Sequence, residues 1–566
     1  MKNARAYCGV CAGLLGLALL LPNPAAAAWP TDPLVNVPLC TAIGNQSNGA
    51  IAPDGAGGAI ITWHDSRSGS SDIYAQRVAA DGTPQWAADG VAVCSAANEQ
   101  YNPTIAADGT GGVIVTWEDL RGGFKTDIYA QRISAGGVAQ WTANGVALCT
   151  AGGHQQSPTI IPDGVGGAIV TWMGLFGGNY DVYAQRISDV GAAQWTANGV
   201  ALCTAAGHQY HPVLVTDGAG GAIVTWRDQR TGGDYTFSDT YAQRISAGGV
   251  VQWTPNGVAV CTATGPQQEP AIASDGAGGA IVIWFDYRSG NYDIYAQRIS
   301  VGGAVQWTAD GVAICTRAGE QAMPTIIADG AGGAIATWRD NRSGNGFDVY
   351  AQRMSAGGSP LWTADGIALC TATDYQVDPA ITADGVGGAI VTWYDYRGGD
   401  YDIYAQRVSL GGAVQWAADG IAVCTAPGFQ LVPTLVGDGA GGAIVTWYDR
   451  RSSPDADIYA QRIPLTNASS SVPEAVAFSL CSYPNPFNPQ TTVHFALPVA
   501  GPVRLSIYDV AGRLVRTLVE AGMAAGGHEV AWDGRDASGC GVSSGSYFAR
   551  LSFGGKIETM AMGLVR

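Results

Sequence analysis

Apolar residues in this chain fall in short runs, separated by Gly, Asn-Gly and Asp-Gly turns rather than by helical spacing. One unit reads Pro103-Thr-Ile-Ala-Ala, Gly112-Val-Ile-Val-Thr-Trp117 and Asp127-Ile-Tyr-Ala-Gln-Arg-Ile133, then Val138-Ala-Gln-Trp141 running on to Val146-Ala-Leu-Cys149. Such runs, rich in β-branched residues and bounded by turn formers, predict β-strands. No stretch sustains an apolar period near 3.6 residues, which excludes helical solenoids.

The string Asp-Gly-x-Gly-Gly begins at Asp54, Asp108, Asp163, Asp217, Asp275, Asp329, Asp384 and Asp438, at gaps of 54, 55, 54, 58, 54, 55 and 54. Eight units of about four strands each match propeller blades, with kelch-like repeats the nearest size class. The ends of the array say how it closes. The last unit stops after Asp457-Ile-Tyr-Ala-Gln-Arg-Ile463, while the chain supplies Trp29…Cys40 with no strands before it. The second Trp of each unit is found at 86, 141, 195, 253, 307, 362 and 416, and Trp29 completes the set. Residues 29–465 are therefore expected to form an eight-bladed, all-β propeller closed by an N-terminal strand, which leaves no open sheet edge.

Several recurrences read as scaffold. Asp65, Asp119, Asp228, Asp286, Asp340, Asp395 and Asp449 follow the blade Trp by two, and an Arg follows by four, as at Arg67. Blade three lacks both, having Gly174 and Phe176, so the two are expected to pair as a carboxylate–guanidinium clasp. A single catalytic site has no use for seven copies. Tyr-Ala-Gln-Arg, as at Tyr74 to Arg77, is read the same way. Cys40, Cys94, Cys149, Cys203, Cys261, Cys315, Cys370 and Cys424 recur once per unit and are expected as separate buried thiols. Cys481 and Cys540 are the candidate disulfide.

Composition sets limits on partners. The 566 residues carry 80 Gly, 13% charged residues and a formal charge of -17, with no Lys/Arg run. That balance excludes general electrostatic capture of nucleic acid. Lys2 and Arg5, the apolar stretch Val10 to Leu21 and Ala25 to Ala28 have the layout of a signal peptide over residues 1–28. The apolar stretch is too short to span a bilayer. The expectation is an exported protein, extracellular or on an outer-membrane surface, without a transmembrane segment.

Alternation of strands places the connections between strands two and three, and those between blades, on one face. Residues there change from blade to blade, with His64, Glu118, Met173, Arg227, Phe285, Arg339, Tyr394 and Tyr448 at one position. Variable loops on a rigid scaffold are where binding sites form. Phe285, Tyr287, Tyr292, Phe347, Tyr375, Tyr394, Tyr396 and Tyr401 gather there and are the candidate ligand-binding residues, suited to stacking on sugar rings or packing on a protein. The expectation is a non-enzymatic binding protein for a polysaccharide or protein. The alternatives are a carbohydrate-active enzyme at the channel mouth and a structural surface component. Glu99, Glu118, Glu269 and Glu320 break the repeat but name no catalytic pair. His154, His208 and His211 are read as loop histidines rather than metal ligands, and neither a catalytic residue nor a cofactor is assigned.

After the array, residues 466–479 read as a linker. Residues 480–566 alternate as a small antiparallel sandwich of Ig-like size. Within it, Tyr483-Pro-Asn-Pro-Phe-Asn-Pro489, Ile507-Tyr-Asp-Val-Ala-Gly-Arg513, Trp532-Asp-Gly-Arg-Asp536 and Gly545-Ser-Tyr547 resemble the Ig-like domain of the flagellar hook-capping (FlgD-type) family. They equally resemble the C-terminal sorting domains of type IX secretion. The resemblance implies contact with export machinery, followed by surface attachment or release. The propeller is unlike a hook-assembly domain, and its repeats resemble secreted bacterial repeat proteins of uncharacterised activity.

Overall fold

A computed structural model describes residues 29–565, except 233–236, 453, 466–478, 484–486, 488, 498–500, 524–525 and 555. The expected signal peptide and nearly all of the expected linker lie outside the described residues. Contacts divide the chain into two compact units at Asn467.

The first unit is a propeller of eight four-stranded antiparallel sheets. In blade one the strands, named a to d outward, are Gln46–Pro53, Ala59–Asp65, Asp72–Val78 and Val91–Cys94. Blade eight takes Gln430–Gly437, Ala443–Asp449 and Asp457–Ile463 from the end of the array and Val37–Cys40 from its start. Val37 pairs with Ala460 and Cys40 with Ile458, antiparallel, so the N-terminal strand closes the ring. The a strands of neighbouring blades lie against one another around a central channel. Between the sheets, b-strand residues such as Ile60, Ile61 and Trp63 are fully buried, and the apolar clusters each span adjacent blades.

The repeated strings hold the blades together. Asp54 Oδ1 accepts from the Ala56 and Gly58 amides, while its Oδ2 accepts from Arg77 Nε at 2.9 Å. The outer connection after strand c turns back at Ala79 to Gly82 and then bulges at Ala87 to Gly90 before strand d. Gln76 fills that bulge, with Nε2 donating to Ala87 O at 2.8 Å and Oε1 accepting from Trp86 N at 3.0 Å. The bulge adds no strand, so the assignment of loops to faces stands. Gly90, at φ +86, sits where a Cβ would meet the Trp63 indole at 2.7 Å, so only glycine fits.

Asp65 and Arg67 form the anticipated clasp, at 2.5 Å. Asp65 also accepts from Trp63 Nε1, and the Arg67 guanidinium lies 3.9 Å above the Tyr74 ring. Blade three, without the pair, replaces that stack with Phe176 edge-on to Tyr183, and its b and c strands run on to a Gly177-Gly178 turn. The eight repeat cysteines are buried and free, and burial pushes the Cys40 thiol up to about 12.

The second unit has a sheet of Ser479–Tyr483, Thr491–Leu497 and Gly526–Trp532, and a sheet of Gly501–Asp509, Leu514–Met523, Gly545–Phe553 and Lys556–Leu564. Phe487, Leu505, Ile507 and Trp532 are buried in one core between them. A strand, Ser479–Tyr483, precedes the prolines. Of the candidate disulfide, Cys540 is an exposed free thiol in a turn whose amide donates to Asp536 Oδ1. The Cys481 side chain lies outside the described residues.

Candidate functional site

Each a strand enters from the loop between blades and makes a β-bulge two residues after its first Gln. At that position Asn48, Asn102, Ser157, His211, Glu269, Met323, Asp378 and Val432 all take positive φ, between 42° and 53°. Seven of the eight precede a proline, and Asn48 precedes Gly49. Non-glycine residues rarely adopt this conformation, and for β-branched Val432 it is costly. Eight copies of one strained geometry carrying seven residue types make a ring at the channel mouth, on the face where the b–c and inter-blade loops emerge. Bulges that re-aim side chains in this way favour binding sites.

Asn48, Asn102, Ser157, His211 and Glu269 line one cavity of about 380 Å³ in the channel. Asn48 Nδ2 donates to Asn102 Oδ1 at 3.2 Å, and Asn102 Nδ2 donates to Glu118 Oε1 at 3.1 Å. The Ser157 amide donates to the same oxygen at 2.9 Å. Glu118 is nearly inaccessible, and burial raises its pKa above the usual carboxylate range. Across the channel Glu269 Oε1 lies 3.6 Å from Arg227 and 4.0 Å from His211 Nε2. Asp378 accepts from the Tyr394 hydroxyl at 2.8 Å and lies 3.8 Å from Arg339. The ring, with the side chains that touch it, thus offers amides, hydroxyls and charges of both signs.

The position occupied by His64, Glu118, Met173, Arg227, Phe285, Arg339, Tyr394 and Tyr448 is not in loops. These residues are near the ends of b strands, paired with the residue before each bulge. Their side chains support the ring from behind: Glu118, Met173, Arg227 and Phe285 are buried. The b strand continues two residues past its Trp, to Asp65 in blade one, and so takes this position out of the loop.

The eight candidate aromatics divide into three clusters on this face. Tyr292 packs at 4.9 Å against buried Phe285 and exposed Tyr287. Phe347 lies 6.4 Å from exposed Tyr375 and beneath Arg339. Tyr401 meets Tyr394 at 5.1 Å and Tyr396 at 4.8 Å, with Phe429 at 6.0 Å. Only Tyr287 and Tyr375 of the eight are among the exposed large hydrophobics. A further cluster of Tyr180, His208, Tyr210 and His211 continues the rim in blades three and four. His154 and His208 each accept a backbone amide through Nδ1, from Thr126 and Tyr180, so both serve as loop struts. Among the described residues, no group of three or more His, Cys, Asp and Glu side chains converges as a metal site.

The C-terminal sandwich places Tyr547 and Phe487 against Trp532, and with Ile507 buried in the same core all four motifs noted above meet there. Residues 488–553 match the FlgD Ig-like domain. The FlgD Ig-like domain covers only this end of the chain. No curated protein sequence matches the chain. Among solved structures, an α-L-arabinanase of Penicillium chrysogenum is 12% identical, with a TM-score of 0.32, covering 55% of this chain and 94% of its own. PorZ of Porphyromonas gingivalis, a bacterial surface component of the type-IX secretion system, is 13% identical, with a TM-score of 0.25, covering 91% of this chain and 81% of its own. A protein of unknown function from Dyadobacter fermentans is 10% identical, with a TM-score of 0.33, covering 56% of this chain and 95% of its own. Likeness at this level carries no inference about activity. No helix among the described residues is long and apolar enough to cross a membrane.

Proposed function

We propose that this is an exported, non-enzymatic binding protein whose channel-mouth face recognises a polysaccharide or a protein, and whose FlgD Ig-like domain serves sorting or surface attachment. The observation that carries the reading is the ring of left-handed bulge residues, identical in backbone and different in chemistry. A purely structural ring of eight equivalent positions has no reason to combine Asn, Ser, His, Glu, Met, Asp and Val. Exposed Tyr287 and Tyr375, with the Tyr394–Tyr396–Tyr401 cluster, supply flat faces beside it, and half-buried Asp378 and exposed Asn102 supply hydrogen-bonding groups. Exposed aromatics beside polar groups suit sugar rings, which present an apolar face and a hydroxyl rim.

The test is binding of the protein to a panel of polysaccharides, followed by Tyr375→Ala and Asp378→Ala. Each variant is expected to weaken a specific hit about tenfold or more, consistent with loss of a stacked or charged contact. Silence across the panel moves the reading to a protein ligand. Unchanged binding by both variants removes this face from the reading.

Two carboxylates beside one cavity favour a second reading, a carbohydrate-active enzyme. Glu118 contacts two residues lining the cavity and has a raised pKa, as a general acid needs, while Glu269 lines the cavity itself. Cleavage of a bound polysaccharide that disappears in both Glu118→Gln and Glu269→Gln would establish it.

A further inference from the structure

Neighbouring blades meet on the channel-mouth face through one repeated contact. The Gln amide that opens an a strand donates to the residue before the c-strand aspartate of the preceding blade, as Gln100 N to Ser71 O at 2.6 Å and Gln376 N to Phe347 O at 2.7 Å. At four of these seams the side chain just before the Gln then caps an amide of the preceding blade. Glu99 Oε2 accepts from Ser71 N at 2.8 Å, His154 Nδ1 from Thr126 N, His208 Nδ1 from Tyr180 N at 3.1 Å and Asn45 Oδ1 from Ala456 N at 3.2 Å. Each cap satisfies a loop amide and fastens the joint.

Between blades six and seven, and again between seven and eight, the cap gives way to rings in contact. Phe347 meets Tyr375 at 6.4 Å, and Tyr401 meets Phe429 at 6.0 Å. One blade earlier Tyr292 occupies the place of Phe347 and packs on Tyr287 at 4.9 Å. Three consecutive blades therefore each set one exposed ring, Tyr287, Tyr375 or Phe429, on a half-buried one. A seam that only joins blades is served by the polar cap. Large rings in its place, repeated at one-blade spacing, leave flat apolar faces in water along an arc of the rim.

Charge narrows what crosses that arc. Glu320, Asp374, Asp378 and Asp400 stand among these loops. Of the cations there, Arg339 is 3.4 Å from Glu320 and 3.8 Å from Asp378, and Arg317 is 3.0 Å from Asp365. Arg450 remains, against Asp374 and Asp400, which join no ion pair among the described residues. A polyanion meets like charge on this arc, whereas the hydroxyls of an uncharged sugar donate to carboxylates.

We propose that the arc from blade five to blade eight holds one linear chain of uncharged pyranose sugars, with a sugar face stacked on each of Tyr287, Tyr375 and Phe429. The proposal rests on the reading of the channel-mouth face as a polysaccharide site, and adds which sector binds and which class of polymer. It also brings in Phe429, which the clustering of aromatics in the sequence did not single out.

The probes are maltohexaose, laminarihexaose, cellohexaose and xylohexaose, with hexagalacturonate as the charged control, titrated into the full chain by calorimetry. At least one neutral hexasaccharide should bind one-to-one, about tenfold or more tighter than its disaccharide, because the longer chain reaches more platforms. Phe429→Ala, at one end of the arc, should weaken the hexasaccharide about tenfold and the disaccharide less than about twofold, since a short ligand keeps the other two platforms. Phe429→Trp should restore the hexasaccharide, and His154→Gln, at a capped seam, should leave both unchanged. Failure of all four neutral probes, tighter binding of hexagalacturonate, or affinity that does not grow with length overturns the proposal. Equal loss for short and long ligands overturns it too, because a damaged fold acts on both alike. A polysaccharide that needs Asp378 but is indifferent to Phe429→Ala and Tyr287→Ala overturns this proposal and leaves the reading of the face intact. A protein ligand in place of any polysaccharide removes both.

Discussion

Arg67 and Cys40 join the two ends of the array: Arg67 Nη2 donates to Cys40 Sγ at 3.0 Å, across the boundary between blade one and blade eight. The same guanidinium is clasped by Asp65 and donates to Asp89 O at 2.8 Å. Equivalent contacts recur between most blades, as Arg121 with Cys94 and Arg288 with Cys261. Each clasp therefore fastens a loop and also the neighbouring outer strand. Asp65 is fully buried, whereas the Arg67 side chain keeps 21% exposure. Asp65→Ala strands that guanidinium and the Trp63 indole, at a cost of about 3 kcal/mol, the low end for breaking a buried pair. Chemical denaturation should report a lower midpoint and, because closure is affected, faster unfolding. A loss below about 1 kcal/mol would make the clasp incidental.

Blade three lets the same relationship be built rather than broken. Trp172 Nε1 there has no partner, and Gly174 sits where a Cβ meets the Phe176 ring at 2.6 Å. Gly174→Asp alone buries a lone carboxylate against that ring, and Phe176→Arg alone places a cation with no counter-charge. Together they supply a partner for each other and an acceptor for Trp172. A double-mutant cycle on thermal unfolding should give a favourable coupling of about 1–3 kcal/mol. Zero coupling would mean that the Gly177-Gly178 hairpin, not the missing pair, sets this loop.

The thiols should report the same architecture chemically. Burial raises the repeat cysteines, Cys261 more than Cys40, and thiolate is the reactive form. Alkylation of the native protein at neutral pH, mapped by mass spectrometry, should modify exposed Cys540 and leave Cys40, Cys94, Cys149, Cys203, Cys261, Cys315, Cys370 and Cys424 intact until denaturant is added.

The eight blades were legible because every blade spells the same strings, and the closing strand because counting Trp residues left one spare at position 29. The clasp was legible through its absence, since Gly174 and Phe176 depart together. The channel ring was not. Its residues share no chemistry, and what unites them is a backbone angle two residues after the first Gln of each a strand, as at Glu269 and Asp378. The signal available was variability at the third position of each Gln-x-x-Pro, which lies within a predicted strand rather than a loop. The aromatics were found by clustering in sequence, but pairing such as Phe285 with Tyr292 turns some of them inward, which composition cannot reveal.

A pH dependence follows from the aspartate two residues before the Tyr of the c strands. Burial raises Asp402 to about 7, with Asp395 and Asp400 adding to it, and raises Asp181 and Asp348 to about 6. Folded protein then binds more protons than unfolded protein between about pH 4 and 7, so stability falls as pH rises through that window. Buried His64, with a lowered pKa, acts in the opposite sense below about pH 6.5, but it is one group. Asp108 and Asp329, held low by hydrogen bonds, lose their contribution only below about pH 4. Melting temperature should therefore be higher at pH 5 than at pH 8, and Asp402→Asn should reduce the difference. A flat profile from pH 5 to 8 would show that these aspartates are solvated in solution.

Val432 offers the sharpest separation of stability from binding. Its φ of 52° is disfavoured for a β-branched residue, and nothing in the fold demands valine, because Asn48 and Asn102 hold the same bulge at 52° and 51°. Val432→Asn should stabilise the propeller by about 1 kcal/mol, since asparagine tolerates the left-handed region. If the ring is a recognition surface, the variant also binds the ligand of this face less well, because an apolar contact 40% exposed in the channel becomes an amide. Stabilisation with weakened binding marks strain retained for function. Stabilisation with binding unchanged would place the contact elsewhere on the ring, among Asp378, Glu269 and the asparagines.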